Sequence, residues 1–180
     1  QSDGIVYFSN WLIDYKGDMP ENTSVTIKEG TKGIADSAFE GCSGLTSVTI
    51  PNSVTSIGNS AFLGCSGLTS VTIPNSIMRI GSDALNLNAE TDIPLKIHIS
   101  DISSFAKIKK EMFWTFFYQL YYNNQEITNL VIPDGTEYIS QFAFFGAIGI
   151  ETVIIPNSVK YIGCLVLDSL FFFFFITIIT

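Results

Sequence analysis

Short segments of the chain alternate apolar and polar residues, and these segments recur at a regular spacing. The residues GCSGLTSVTIPNS occur at 41–53 and again, letter for letter, at 64–76, a step of 23 residues. Alternation with a period of two is typical of a β-strand that is buried on one face. Because every layer of a stacked structure needs the same core residues as the layer before it, the repetition predicts a solenoid of parallel strands.

The apolar positions fall into two columns when the repeats are aligned. The first column contains Val25, Val48, Val71, Ile97, Leu130 and Val153. The second column, two residues later, contains Ile27, Ile50, Ile73, Ile99, Ile132 and Ile155. We expect successive strands to pair in this order, about 4.8 Å apart, so that the two columns share one continuous core.

Each strand is followed by a turn and a second apolar pair. Proline usually ends the strand, as at Pro51, because it has no N–H to donate to the ladder. Asn-Ser or Asp-Gly then predicts a turn. An Ala-Phe or Ala-Leu pair closes the layer, and its large side chain is expected to fill the centre of the coil. The glycines that we expect to form a tight bend before this pair are Gly58, Gly81 and Gly163.

The pattern divides the chain into five parts. We predict an N-terminal cap hairpin at 1–17, repeats at 18–99, a helix and hairpin insertion within an enlarged repeat at 100–126, repeats at 127–168 and a final segment at 169–180. The aromatic residues of the hairpin are expected to cover the first layer; they are Tyr7, Trp11 and Tyr15.

The insertion begins with a predicted helix and continues into an aromatic cluster. Ser100 or Asp101 is the expected helix N-cap, and Asn123-Asn124 is expected to turn a hairpin into the strand at 127–132. The aromatic cluster either packs on the flank of the coil or forms an exposed patch for a partner. Its members are Trp114, Phe116, Phe117, Tyr118, Tyr121 and Tyr122.

The final segment, SLFFFFFITIIT, has two interpretations. A step of 23 residues from Val153 and Ile155 leads to Ile176 and Ile178, which predicts one more, degenerate strand layer. The alternative is a truncated membrane anchor, although 12 residues fall short of the roughly 20 that a spanning helix needs. The sequence does not open on the pattern of a signal peptide, so we expect any leader to have been removed or to lie upstream.

Composition narrows the classes of partner. The 180 residues include 17 Asp or Glu and 9 Lys or Arg, for a net charge of −8. The basic residues cluster only at Lys107, Lys109 and Lys110, so neither nucleic acid nor an anionic membrane surface is an expected partner. The three cysteines are an odd number without CxxC spacing, and Cys42 and Cys65, one period apart, are expected to be small buried residues.

The segment GCSGLTSVTIPNSVTSIGNSAFLGC at 41–65 resembles the repeat of the BspA-like leucine-rich repeat proteins, L-x-x-V-x-I-P-x-x-V-x-x-I-G-x-x-A-F-x-G-C. The resemblance covers roughly residues 18–167, with departures at Ala147-Ile148, Val166-Leu167 and the tail. It implies a leucine-rich repeat solenoid of the α/β class that is mostly β-strand and turn. Such a fold has a parallel sheet on one face and short helical or turn segments elsewhere. It also implies a secreted or cell-surface protein of a host-associated microbe that adheres to host matrix or cells.

No catalytic, metal or cofactor site is expected. The single histidine, His98, lies on an outward strand position, and no cysteine shares its face to form a nucleophile–base pair. Metal binding would need further ligands beside it, and no GxGxxG or P-loop is present. We therefore do not expect an enzyme.

The outward strand positions are the candidate binding face. They are rich in hydroxyl groups at one end and apolar at the other, and an extended face of this kind is the usual binding surface of repeat proteins. The alternative is that Ser and Thr serve only strand propensity and solubility. The candidate residues are Ser47, Thr49, Ser70, Thr72, Lys96, His98, Asn129, Val131, Thr152 and Ile154.

Two functions follow as hypotheses. In the first, the protein is extracellular or on the cell surface and binds a host or cell-surface protein, or a glycan, through this face. In the second, it is a structural spacer that presents another domain, which the near-identical layers would permit. Membrane association is expected only if the final segment is part of an anchor.

Overall fold

The computed structural model describes residues 4–87, 94–111 and 117–166, together with the backbone of 175–178. Its one described helix is α1 (Ile102–Lys107). The strands of this described part are β1 (Gly4–Phe8), β2 (Trp11–Lys16), β3 (Thr23–Thr26), β4 (Gly33–Ile34), β5 (Leu45–Thr49), β6 (Ser56–Ile57), β7 (Ser70–Ile73), β8 (Arg79–Ile80), β9 (Leu95–Ile99), β10 (Lys109–Lys110), β11 (Tyr118–Tyr122), β12 (Gln125–Glu126), β13 (Asn129–Val131), β14 (Tyr138–Ile139), β15 (Ala147–Ile148), β16 (Thr152–Ile155), β17 (Tyr161–Ile162) and β18 (Phe175–Ile178).

Most layers of this mostly-β solenoid contribute one longer and one shorter strand, on opposite sides of the coil. The longer strands form three ladders: β3-β5, β7-β9-β11-β12 with β15 beside β11, and β13-β16-β18. The shorter strands form β4-β6-β8-β10, which the β1–β2 hairpin extends at the β4 edge, and β14-β17. Apart from the two hairpins, the pairings are parallel, and β4, β6 and β8 follow the 23-residue step residue by residue. The predicted fold class is confirmed.

The core runs through the layers as one continuous cluster. Every member of the first apolar column is buried, from Val48 at 7% exposure to Leu130 at 0%. The large side chain that closes each layer fills the centre of the coil, and the rings of Phe39 and Phe62 stack with centroids 5.2 Å apart. Because no layer buries its own apolar face, stacking supplies the stability of each.

The layer glycines are required by close packing between layers, and their role in a tight bend stays a prediction. Gly58 has no left-handed φ, yet a Cβ at this position would lie 2.6 Å from the carbonyl carbon of Ala35 and 2.5 Å from the backbone nitrogen of Asp36. Gly81 makes the same approach to the backbone nitrogen of Asn59, at 2.6 Å. The coil can stack this tightly only because these positions carry no side chain.

The cap hairpin forms as expected, with β1 and β2 antiparallel and a turn at Ser9-Asn10. The Tyr7 hydroxyl accepts a hydrogen bond from the Lys28 N–H at 3.0 Å. The Tyr15 ring lies 6.4 Å from that of Phe39. The hairpin therefore covers the first layer and occupies an otherwise open sheet edge.

The insertion supplies an additional rung of the sheet, which corrects the predicted strand order. Asp101 is the N-cap of α1 and accepts a hydrogen bond from the Ser104 N–H at 2.6 Å, as expected. Leu120 of β11, and not Leu130, pairs with Ile97. Two left-handed asparagines, Asn123 and Asn124, then turn the chain into β12. Because the β11–β12 hairpin takes the rung beside β9, the next strand, β13, pairs with β16 and not with β9.

The aromatic cluster divides between core and surface. Tyr118 is fully buried, whereas Phe117 and Tyr122 are 46% and 38% exposed. Neither interpretation of the cluster therefore applies to all of it. Trp114 and Phe116 lie outside the described residues.

The final segment contains a strand in the predicted register. β18 pairs in parallel with β16, and Ile176 and Ile178 lie opposite Val153 and Ile155. The rest of 169–180 lies outside the described residues, and the interpretation of this segment as a repeat or an anchor stays a prediction. Among the helices in the described part of the chain, none has the length and apolar character to cross a membrane.

The cysteines are free, and the two repeat cysteines lie in the core as expected. Cys65 donates from its sulfur to the Phe39 carbonyl oxygen at 3.0 Å. Burial, with a smaller effect of Cys42, raises the pKa of the Cys65 thiol to about 12. Such a thiol is protonated and unreactive at neutral pH. Cys164 is exposed and lies in a different column.

Candidate binding face

The outward positions of the longer strands form the face defined here as the strand face. Alternation places these side chains opposite the core in every rung. The first outward column contains Ser24, Ser47, Ser70, Lys96, Gln119, Asn129 and Thr152. The second contains Thr26, Thr49, Thr72, His98, Tyr121, Val131 and Ile154.

The N-terminal end of the strand face carries small hydroxyl side chains only. Ser47 and Thr49 of β5 are exposed, as are Ser70 and Thr72 of β7. In β5 these residues pair with the identical residue types of β3. No ladder joins β5 to β7 within the described residues, although the two strands are neighbours in space. This end offers rows of hydroxyl groups at regular spacing and few distinguishing features.

The centre of the strand face combines a cation, a histidine and an aromatic ring. Lys96 and His98 of β9 lie opposite Ser70 and Thr72 on one side. On the other side, Tyr121 lies opposite His98, and the two rings stack with centroids 5.0 Å apart and planes at 26°. The Lys96 ammonium lies 6.0 Å from the centre of the same tyrosine ring, within cation–π range. We call Lys96, His98 and Tyr121 the central cluster.

A polar pair borders the central cluster. Gln119, opposite Lys96, donates from its amide nitrogen to the Glu126 carboxylate at 2.9 Å. Glu126 belongs to β12, on the far side of β11 from β9. This carboxylate is therefore held by an amide and lies beyond the rung that carries Tyr121.

The C-terminal end of the strand face is more apolar. Asn129 lies opposite Thr152 and accepts a hydrogen bond from its hydroxyl. Val131 is 48% exposed and lies opposite the half-buried Ile154. The structure thus keeps each predicted pair together but separates Asn129 and Val131 from Lys96 and His98, because β11 pairs with β9.

The buried Lys110 contacts Tyr118 of β11, the strand that carries Tyr121 of the central cluster. Lys110 lies in the column of Ile57 and Ile80 and is 1% exposed. Its ammonium donates to the Ala143 carbonyl oxygen and to the Tyr118 hydroxyl, the latter at 3.4 Å, and lies 4.1 Å from the Phe105 ring centre. Burial lowers the pKa of Lys110 well below its ordinary value and raises the pKa of Tyr118. Lys110 thereby links the core of the enlarged repeat to the strand that carries Tyr121.

His98 lies among hydroxyl and aromatic side chains on the strand face. The partners of His98 on the face are Thr72 and Tyr121, while Cys42 and Cys65 are buried in the core. Within the described ranges, no group of three or more His, Cys, Asp or Glu side chains could hold a metal ion.

The sequence patterns did not assign three residues of the site to the strand face: Gln119, Tyr121 and Glu126. A signal for the first two was present, because the 23-residue step from Lys96 and His98 leads to Gln119 and Tyr121. The aromatic residues around them favoured assignment to an insertion on the flank of the coil. Glu126 has no such signal, since its position depends on the β11–β12 hairpin.

Comparison with known families identifies the repeat. The model of the BspA type leucine rich repeat region matches residues 18–114 and 115–170, in six copies. No curated protein matches the chain.

Solved structures of similar chains come from bacteria. A leucine rich cell surface protein from Faecalibacterium prausnitzii is 26% identical over 80% of this chain, with a TM-score of 0.42. A leucine rich repeat protein of T. pallidum is 23% identical over 85% (TM-score 0.41), and one from Bacteroides ovatus is 18% identical over 82% (TM-score 0.44). This chain spans 38%, 56% and 46% of those three chains, respectively.

Proposed function

Since the chain belongs to the BspA-type leucine-rich repeat family, we propose that it is a non-enzymatic protein of the bacterial surface that binds another protein through the strand face. The bound protein belongs to a host matrix or a cell surface, and the protein acts outside the cell. The family is one of bacterial surface proteins built on a repeat fold suited to protein binding. Adhesion to a host, the candidate residues and the class of partner are parts of the proposal.

The central cluster is the observation that carries this proposal. A stacked solenoid needs only inward residues for its stability, so the outward positions are under no packing demand. The first three rungs place only Ser and Thr there, but β9 and β11 place Lys96, His98 and Tyr121 together. Tyrosine is one of the side chains that contribute most to protein interfaces, and a lysine charge steers a partner of opposite charge. Small hydroxyl groups around them would add many weak contacts.

A steric block of the strand face tests the proposal. The Ser70→Trp variant places a large ring beside Lys96, whereas Asn52→Trp places one on an exposed turn after Pro51 and is the control. We expect the first variant to lose binding to immobilised matrix proteins and cultured epithelial cells and the second to retain it. A triple alanine variant of Lys96, His98 and Asn129 should weaken binding without loss of the strand CD signal. Equal binding by all variants would contradict the proposed face.

A structural spacer is the second candidate function, and the letter-for-letter repeat at 41–53 and 64–76 favours it. A rod needs no unique surface, so identical layers suffice for it. If the wild-type chain captures nothing from matrix proteins, cells or glycans, the spacer function would be preferred.

A further inference from the structure

The strand face differs in charge from the rest of the molecule. The chain has 17 acidic and 9 basic residues, yet the two outward columns contain no Asp or Glu. Their charged or ionisable side chains are Lys96, His98 and Tyr121. The two columns therefore carry a cation and no carboxylate, and the bordering Glu126 is held by Gln119, which favours a ligand that is itself anionic there.

The Lys96 ammonium is available to a ligand. Its side chain is exposed, and no ion pair of Lys96 occurs within the described part of the chain. Its contact with the face of the Tyr121 ring holds it over the sheet at 6.0 Å and leaves its N–H groups to other acceptors. Lys160, by contrast, is paired with Glu137 at 2.9 Å.

Donors surround Lys96 on the side of β7. The hydroxyl groups of Ser70 and Thr72 belong to the neighbouring rung, about 4.8 Å away, in register with Lys96 and His98. Each hydroxyl donates one hydrogen bond, and the histidine ring offers an N–H in either tautomer. The nearest rung carboxylate, Glu126, is held by Gln119 on the opposite side of β11. A carboxylate over β7 and β9 would meet donors and no competing anion in the two columns.

We propose that this part of the strand face recognises the carboxylate side chains of an acidic segment of the partner protein. The Lys96 ammonium is the charge partner, Ser70, Thr72 and His98 donate hydrogen bonds, and the Tyr121 ring packs against the aliphatic part of the acidic side chain. Because hydroxyl groups repeat on the strand face at the rung spacing, successive residues of one extended acidic segment can contact successive rungs. The inference rests on the proposed function and specifies the chemistry of its partner.

A peptide titration tests this chemistry. The probe is an octapeptide of glutamate, with the glutamine octapeptide as its matched neutral control. Binding to the full chain is followed by NMR shifts of the β7 and β9 amides at millimolar peptide. We expect the glutamate peptide alone to shift them, with an affinity that falls as salt is raised. Lys96→Gln should weaken binding about tenfold, the range for one charge-assisted hydrogen bond, and Lys96→Arg should retain it. Lys109→Gln removes an exposed lysine of the opposite sheet and should change nothing.

Three results would overturn the inference. The first is equal binding of the two peptides, the second is equal weakening by Lys96→Gln and Lys109→Gln, and the third is the absence of shifts. Sialyllactose is titrated in parallel, and if it binds through Lys96 while the peptide does not, the ligand is an acidic glycan. The Ser70→Trp experiment separates this failure from that of the proposed function. If that variant loses matrix binding although the peptide does not bind, the strand face is a binding face of different chemistry.

Discussion

The layers between residues 24 and 87 repeat almost unchanged, whereas those between 94 and 166 replace several of the same columns. The isoleucine column of the first region continues into the buried Lys110 of the second. One position of the repeat has a left-handed backbone conformation. It is Ser60 in the first region, and Phe142 and Leu165 in the second. The position of Gly58 holds Ser140. Stacking therefore tolerates replacements in the core columns where an inserted helix and an inserted strand change the adjacent layer.

The functional surface follows the same division. The regular region presents only Ser and Thr on the strand face, whereas the altered region brings Lys96, His98 and Tyr121 together. Regular layers provide rigidity, and the irregular rung provides distinctive chemistry.

Loss of a central phenylalanine should be costly in both regions. Phe62→Ala and Phe144→Ala each remove a ring that is no more than 1% exposed and should lower the free energy of unfolding by about 3–5 kcal/mol. Phe8→Ala, at a site 73% exposed, is the control and should cost little. Urea denaturation measures the three values. A loss below about 1 kcal/mol for either core variant would contradict a shared, close-packed interior.

A methyl group at Gly58 should be tolerated poorly in the regular region. The added Cβ of Gly58→Ala meets the backbone of Ala35 and Asp36, so we expect a loss of about 1–3 kcal/mol. Ser140→Ala is the matched change in the altered region, where a Cβ is already present. It removes only the hydrogen bond from the serine hydroxyl to the Lys107 carbonyl oxygen, about 1 kcal/mol. A smaller effect for Gly58 than for Ser140 in thermal unfolding would show that the layers are not in close contact there.

The buried Lys110 should make stability depend on pH. Its folded-state pKa lies below the unfolded value of 10.5, so folding releases a proton, and this contribution to stability grows as pH rises toward 10.5. Cys65 acts in the opposite direction above pH 9, because its pKa is raised from 9.0 to about 12. Between pH 7 and pH 9, wild type should therefore gain stability relative to Lys110→Met. Chemical denaturation at several pH values measures this difference, and parallel curves for the two proteins would refute a lowered Lys110 pKa.

Replacement of Leu165, whose backbone has a left-handed conformation, should have the smallest effect on the free energy of unfolding. Leu165 has a φ of 50° and is 57% exposed, so it bears backbone strain with little burial in return. Leu165→Asn should raise the free energy of unfolding by about 0.5–1 kcal/mol, because asparagine tolerates this conformation. The reverse change in the regular region, Ser60→Leu, should destabilise by a similar amount. A destabilising Leu165→Asn would indicate that the leucine contributes packing that outweighs the strain.

Local sequence patterns predicted which elements form more successfully than they predicted which strands pair with each other. Asp101 as N-cap, the cap hairpin and the register of β18 each depend on residues close in sequence or on the 23-residue step. The order of the rungs did not follow in the same way, because both Leu120 and Leu130 fit the apolar column after Ile97. Pairing of β9 with β11 follows the 23-residue step from Ile97 to Leu120, but the irregular residues of the insertion concealed that step.

The pattern of residues specifies the solenoid, its core columns and the outward direction of Lys96 and His98, because every layer repeats the same local requirements for burial. The packing of the folded chain adds three features: Tyr121 stacks on His98, Lys110 replaces a core isoleucine, and Gly58 is needed for contact between layers. The first is a contact at the 23-residue step whose residue types depart from the repeat, the second pairs Lys110 with Ile80 away from that step, and the third joins the backbones of adjacent layers. A periodic pattern specifies what each layer contains, whereas close packing specifies which layers meet.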